Sequence, residues 1–334
     1  MTRPGTFLIS LDFELHWGVF PSVNENSPYM QNLLHTPEAI IRMLELFEER
    51  NISATWAVVG LLFAESPAMI KEFEPSVKPA YNNPGENPYL LPIGLNESDD
   101  PIHFAGSLIR KILTVPHQEI ATHTFSHFFC RAAEATVEAF LSDIESARKI
   151  AELYGIKINS IVFPKNQLIK EFIDVLPQTS IQIFRGAEKG WMYTGIKNFQ
   201  ESKLSKSRQY LNKLGRLLDT YFPLSGSNTW SIHELKVSKG QPVNVPASRF
   251  VRPYNPRLKY MENIKYQRIV NQIEDAAKNG KMVHLRWHPH NFGSHTDENI
   301  NLLSRVLHFF EYCRSKYGMR SMTMQEFAGL LNDE

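Results

Sequence analysis

The stretch Thr6–Gly18 reads TFLISLDFELHWG. Four of the five positions from Phe7 to Leu11 are apolar, which predicts a strand buried on both faces. Asp12 and Glu14 close it, separated by Phe13. Carboxylates at i and i+2 of an extended segment point to the same side, so both are expected to face one cleft. Two like charges in one cleft tend to split in pKa, which lets one stay ionised as a ligand while the other takes and gives a proton. Read alone, Asp12 is equally a turn or capping residue and Glu14 a solvated one. The rest of the chain decides.

The pattern of an apolar run followed by helical periodicity recurs along the sequence. Strands are predicted in SATWAVVG, HQEIATH, INSIVFP, TSIQIFRG and KMVHLRWHP. Helices are predicted in PEAIIRMLELFEERN, PAMIKEF, EATVEAFLSDIESARKIAELYG, NQLIKEFIDVL, KSRQYLNKLGRLLDTYF, YQRIVNQIEDAAKNG and ENINLLSRVLHFFEYCRSKYG. Such alternation implies a parallel sheet. About seven units without a Gly/Ser linker imply one α/β barrel over residues 1–334, closed or nearly so, with an open doubly wound sheet as the alternative. Two stretches without periodicity, about 75–101 and 224–256, read as loop insertions shaping a cleft. In either architecture function gathers at the C-terminal edge of the strands.

Composition narrows the function. Thirty-six basic against 35 acidic residues leave a net charge of +1, which argues against a nucleic-acid surface or a polybasic membrane patch. The two cysteines, Cys130 and Cys313, are too few for a disulfide framework and read as packed core residues. No apolar run approaches the roughly 18 residues of a membrane span. The first apolar run carries Asp12 and Glu14 rather than a cleavage site, so a cytoplasmic protein is expected.

Two further polar clusters fall at strand ends. EIATHTFSH carries His123 and His127, which in a helical turn would lie on one face at a spacing suited to one ion. Catalytic zinc takes three protein ligands and keeps a fourth position open, a count that two histidines and a carboxylate satisfy. MVHLRWHPHNFG holds four of the chain's 12 histidines within its neighbourhood, from His284 to His295. His288 follows the apolar strand and precedes a proline, placing it at the cleft as a candidate general acid. His290 is a second candidate or its partner, and His284 is expected to be structural.

Taken in order, ISLDFELHWG, EIATHTFSH, IVFPKNQ and LRWHPH resemble successive motifs of the polysaccharide deacetylase family, the NodB-homology or carbohydrate esterase family 4 fold. The resemblance runs from Leu8 to about Phe327, and His-Thr-x-x-His is its most specific element. It implies a distorted (β/α)7 barrel holding a divalent metal, zinc by preference, on one acid and two histidines. It also implies removal of acetyl groups from N-acetylated, sometimes O-acetylated, sugars. Carried over, His123 and His127 match the metal-binding histidines and Asp12 the catalytic base. The usual motif has adjacent aspartates, and Phe13 stands where the second would be. By an acid-x-acid variant Glu14 becomes the metal ligand, and which acid is ligand and which is base stays open.

A second departure lies at Phe163, Pro164, Lys165 and Asn166, where the family places an arginine and a glycine around the proline. Lys165 is expected to stand in for that arginine or to be a solvated lysine. Substrate contacts are expected from Trp17, Pro164, Lys165, Asn166, Arg249 and His290, with Trp191, Trp287 and Arg252 as further candidates. The resemblance implies a carbohydrate partner, with no nucleic acid and no membrane span. Hydrolysis of another C–N bond, in a ureide or cyclic amide, and an inactive carbohydrate-binding barrel are the competing readings.

Overall fold

A computed structural model describes residues 3–193, 195–199, 206–235 and 237–332. Its strands are β1 (Thr6–Phe13), β2 (Ala54–Val58), β3 (Gln118–Thr122), β4 (Ser160–Ile161), β5 (Ile183–Phe184), β6 (Val243–Asn244), β7 (Arg249–Phe250), β8 (Met282–Trp287) and β9 (Arg320–Met322). They pair in parallel in the order β6-β5-β4-β3-β2-β1-β8-β7, with β9 alongside the first half of β1.

The two edges of that order, β6 and β7, are halves of one interrupted strand. Val243 and Val245 donate their N–H groups to Gln182 and Phe184 on the β5 side, whereas Ser248 and Val251 donate to His284 and Arg286 on the β8 side. Pro246, which has no N–H to give, lies between the halves. The segment Val243–Val251 thus bridges β5 to β8, and seven strand positions complete a distorted barrel. This corrects the expectation for 224–256: that insertion contains the strand that closes the sheet. The insertion at 75–101 carries only two short 3-10 turns, Pro84–Glu86 and Pro88–Leu90. It is tied down by the helix Gly106–Thr114, which sequence periodicity did not pick out, and by a chain of rings. His103 Nδ1 lies 2.7 Å from Asp100 and His103 Nε2 lies 2.8 Å from Nδ1 of His16, just after β1.

Strand alternation sorts β1 into two cores. Phe7, Ile9, Leu11 and Phe13 join the large outer core between the sheet and its helices, including Ile40, Met43 and Phe47 of the helix Thr36–Glu49. Leu8 points into the barrel with Ala57, Ala121, Val162, Ile183 and Met282, where Met324, Phe327 and Leu331 of the C-terminal helix Met324–Asn332 plug the bottom. Phe13 is fully buried in the outer core, which explains an apolar residue between two acids: its side chain leaves on the opposite face from Asp12.

Above the plug the barrel turns polar. His284 Nδ1 donates to the Pro246 carbonyl at 3.2 Å, so Nε2 is left to accept from Ser10 Oγ at 2.8 Å. Burial, with Arg185 nearby, pushes this imidazole down to about 3, so it stays neutral as an interior strut. One layer higher the strand ends open onto the cleft.

Candidate metal and catalytic site

Glu14 leaves β1 as the residue before a short helix, Leu15–Val19, and its carboxylate folds back over the barrel mouth. Its Oε2 lies 3.1 Å from Nε2 of His123 and 3.1 Å from Nε2 of His127, all three side chains being buried. One ligand atom from each lies within 4.8 Å of the others. Gly18 is the local condition for this: a Cβ there would stand 2.1 Å from Cδ of Glu14 and 2.4 Å from its Oε1. Gly18→Ala is therefore expected to displace the carboxylate and weaken metal affinity about 10- to 100-fold, the usual cost of disturbing what supports a ligand. Competition against a chromophoric chelator measures it.

His123 follows β3, its N–H bonded to the Val58 carbonyl at 2.8 Å. The segment His123–His127 is a loop rather than the helical turn expected from the i, i+4 spacing. Thr124 and His127 are left-handed, with φ of 63° and 55°. For non-glycine residues that conformation costs about 1–2 kcal/mol each, so something must hold it. The buried carboxylate of Asp143 does, accepting from the N–H of Phe125 at 2.5 Å, the N–H of Ser126 at 3.2 Å and the Ser126 hydroxyl. Thr124 Oγ1 adds a bond from the N–H of Phe128 at 2.8 Å. Desolvation pushes Asp143 up to about 6 against these donors.

The proton inventory around Glu14 tests whether a cation belongs there. A carbonyl only accepts, so the 2.8 Å contact from His123 Nδ1 to Val162 puts a proton on Nδ1. With Nδ1 so committed, Nε2 faces a carboxylate oxygen at 3.1 Å, a contact that a proton or a metal cation between them makes favourable. Burial drives His127 down to about 4 despite Glu14, so its ring is neutral near pH 7, as a ligand must be. Burial opposes the charge on Glu14, but His288 and the hydrogen bonds from His123 and His127 hold it well below the usual range. One anionic oxygen donor and two neutral imidazoles suit a zinc-type ion.

Asp12 points up the barrel axis beside this trio. Its two oxygens meet the fork of Arg185, Nη1 to Oδ1 at 2.5 Å and Nη2 to Oδ2 at 2.8 Å. Arg185 also donates to Ser10 Oγ at 3.0 Å and Asn166 Oδ1 at 2.9 Å. Burial would raise the Asp12 pKa, but the guanidinium overrides it and holds the carboxyl below its usual range. Arg185 was not among the candidates read from sequence, although it follows the β5 run IQIF as His123 follows β3.

His288 faces both carboxylates, Nε2 lying 3.5 Å from Asp12 Oδ2 and 3.6 Å from Glu14 Oε1. Its side chain is 25% exposed, against 6% or less for Asp12, Glu14, His123 and His127, so it is the most accessible of the group. His290 stacks on it at 5.1 Å and reaches Glu14 Oε1 at 3.9 Å. Burial, reinforced by His288, pushes His290 down to about 3.

The remaining sequence candidates separate. Lys165 does not take the arginine's place. It lies over the Phe129 ring, Nζ 4.0 Å from the centroid, and Arg185 occupies the position on Asp12. Pro164 is buried, and Asn166, left-handed like Lys165, supports Arg185. Trp17 is no stacking platform: it is buried, donating Nε1 to the His103 carbonyl at 2.9 Å. Trp287 is also buried, stacked on Phe292. Arg249 turns away from the cleft into a buried network, donating to the Asp219 carbonyl at 3.0 Å and to Gln272. Arg252 donates Nε to Thr220 Oγ1 at 2.8 Å. The aromatic rings that border the imidazoles are instead Phe129, 5.5 Å from His127, and Phe250, 5.5 Å from His288.

The sequence matches no protein-family model and no curated protein. Among solved structures, the chain superposes on one named as a polysaccharide deacetylase from Mycobacterium smegmatis with a TM-score of 0.59, covering 99% of this chain and 94% of that one at 13% identity. The fold is that of the polysaccharide deacetylases. Another structure so named, from Pseudomonas aeruginosa PAO1, gives 0.54 over 98% and 91% of the two chains at 11% identity. An allantoinase shares the deacetylase fold at 0.51 over 97% and 89%, at 12% identity. No described helix is long and apolar enough to cross a membrane.

Proposed function

We propose that this protein is a metal-dependent hydrolase that removes acetyl groups from N-acetylated or O-acetylated sugars. The observation that supports it most is the placement of His123: its Nδ1 proton is committed to Val162, and its Nε2 faces Glu14 Oε2 and His127. Glu14, His123 and His127 would hold one divalent ion. When bound, such an ion supplies Lewis-acid polarisation and acidifies water.

The chain's own groups supply the proton traffic. Asp12, ionised and fixed by Arg185, accepts a proton from the attacking water. As the C–N bond breaks, His288 in its protonated form gives a proton to the leaving nitrogen, releasing acetate and an amine. Asp12 is thereby assigned as base and Glu14 as ligand, since Glu14 meets both imidazoles and Asp12 meets the guanidinium. Phe250, half-buried beside His288, flanks the site as an apolar wall for a sugar ring.

The same groups would also open a ureide or cyclic amide, and the Phe163–Asn166 turn, which departs from the deacetylase motif, is the feature that would admit one. A substrate panel separates the readings. Acetamido sugars are expected to release acetate and free amine in equal amounts. Ureide hydrolysis without acetate release would replace the sugar assignment, and no turnover on either class with metal bound would favour a binding barrel.

A further inference from the structure

The helix Lys206–Asp219, KSRQYLNKLGRLLD, sits on the barrel the wrong way round for a soluble surface. Its buried positions are the polar Asn212 and Asp219 and the small Gly215. Its apolar side chains face outward: Tyr210 is 68% exposed, Leu211 55%, Leu214 42%, Leu217 37% and Leu218 41%. At about 100° per residue these five occupy an arc of about 120°, centred opposite Asn212 and Asp219. Phe222 and Leu224, 47% and 50% exposed, extend the patch past the helix end.

The inward carboxylate of Asp219 is satisfied, so the orientation is built in. Asp219 accepts from Ser225 N–H at 2.8 Å and pairs with Arg268 at 3.6 Å and Arg249 at 3.8 Å. It is also the helix's sole acid, and it is buried. Its cations Lys213 and Arg208 stand about 40° and 60° beyond the two ends of the apolar arc. An apolar arc bordered by cations is the composition of a helix that lies in the interface of an anionic bilayer. A second copy fits poorly, because a two-fold contact through this face would bring the two cationic sets together.

The helix end also adjoins the cleft. Thr220 accepts from Arg252, two residues beyond Phe250, whose ring lies 5.5 Å from His288. We propose that the outward apolar face of the helix Lys206–Asp219 docks this protein on an anionic phospholipid surface, with the cleft mouth beside that surface. Docking is independent of the reaction.

Co-sedimentation with phosphatidylcholine vesicles, with and without phosphatidylglycerol, tests the docking without requiring turnover. Wild-type protein is expected to bind only the anionic vesicles, and less as salt rises. The double variant Leu214→Glu, Leu218→Glu is expected to lose about tenfold or more in binding while keeping its melting temperature and its rate on a soluble acetamido sugar. Lys213→Glu, which leaves the apolar face intact, is expected to weaken binding to the anionic vesicles less than the double variant does. Failure of wild type to bind anionic vesicles, equal binding by the double variant, or a dimer in sedimentation velocity that the double variant dissolves would each overturn the proposal.

Discussion

Arg185→Ala is expected to lower turnover about 10²- to 10³-fold while metal content stays near that of wild type. Asp12, the proposed base, would lose the fork that fixes both of its oxygens, and a buried carboxylate would be left without its counter-charge. Stripping one partner from a buried pair costs about 3–5 kcal/mol, so the variant is also expected to melt lower. Arg185→Lys separates positioning from stability. It keeps the charge but not the planar fork, so it should regain melting temperature more fully than turnover. The pH profile gives the sign. Arg185 holds Asp12 below its usual range, and the base must be ionised, so weakening the pair moves the acidic limb of kcat/KM to higher pH. An unchanged limb with reduced stability would leave Arg185 a merely structural residue.

His288→Ala is expected to cost about 10²- to 10⁴-fold in kcat on an acetamido sugar, with metal bound normally. An amine leaves poorly without a proton, whereas an aryl oxide leaves readily. The deficit should therefore shrink strongly on an activated aryl acetate. His288 lies 3.5 and 3.6 Å from the two carboxylates and is the most exposed of the group, which fits a proton donor to substrate rather than a ligand. An equal deficit on both substrates would move His288 from proton donation to binding. Loss of metal would make it a ligand.

How much of this was legible in the sequence depends on how local each signal is. Leu8, Ser10 and Asp12 share one face of β1 by simple alternation, so the ascent from plug to strut to carboxylate is written in five residues. The strand-end rule likewise located His123 and His288. Arg185, one residue past β5, was missed, because a lone arginine after a short run carries no local mark of its partner 173 positions away. The His123–His127 spacing was readable, its conformation was not. The left-handed residues are held by Asp143 from a separate helix, a constraint no window around the histidines contains. The closing strand escaped because Pro246 splits it into halves of two residues each, too short to show a period. Arg249 and Trp17 illustrate the opposite error: side chains suited to ligands were spent on Asp219 and on the His103 carbonyl.

The convergence of Glu14, His123 and His127 on one ion is tested most directly by calorimetric titration of metal-free protein with Zn²⁺. Wild type should bind one equivalent tightly and release protons as it does so, and His123→Ala should lose that site while remaining folded. A tight site that survives in His123→Ala unchanged, or none in wild type, would contradict it.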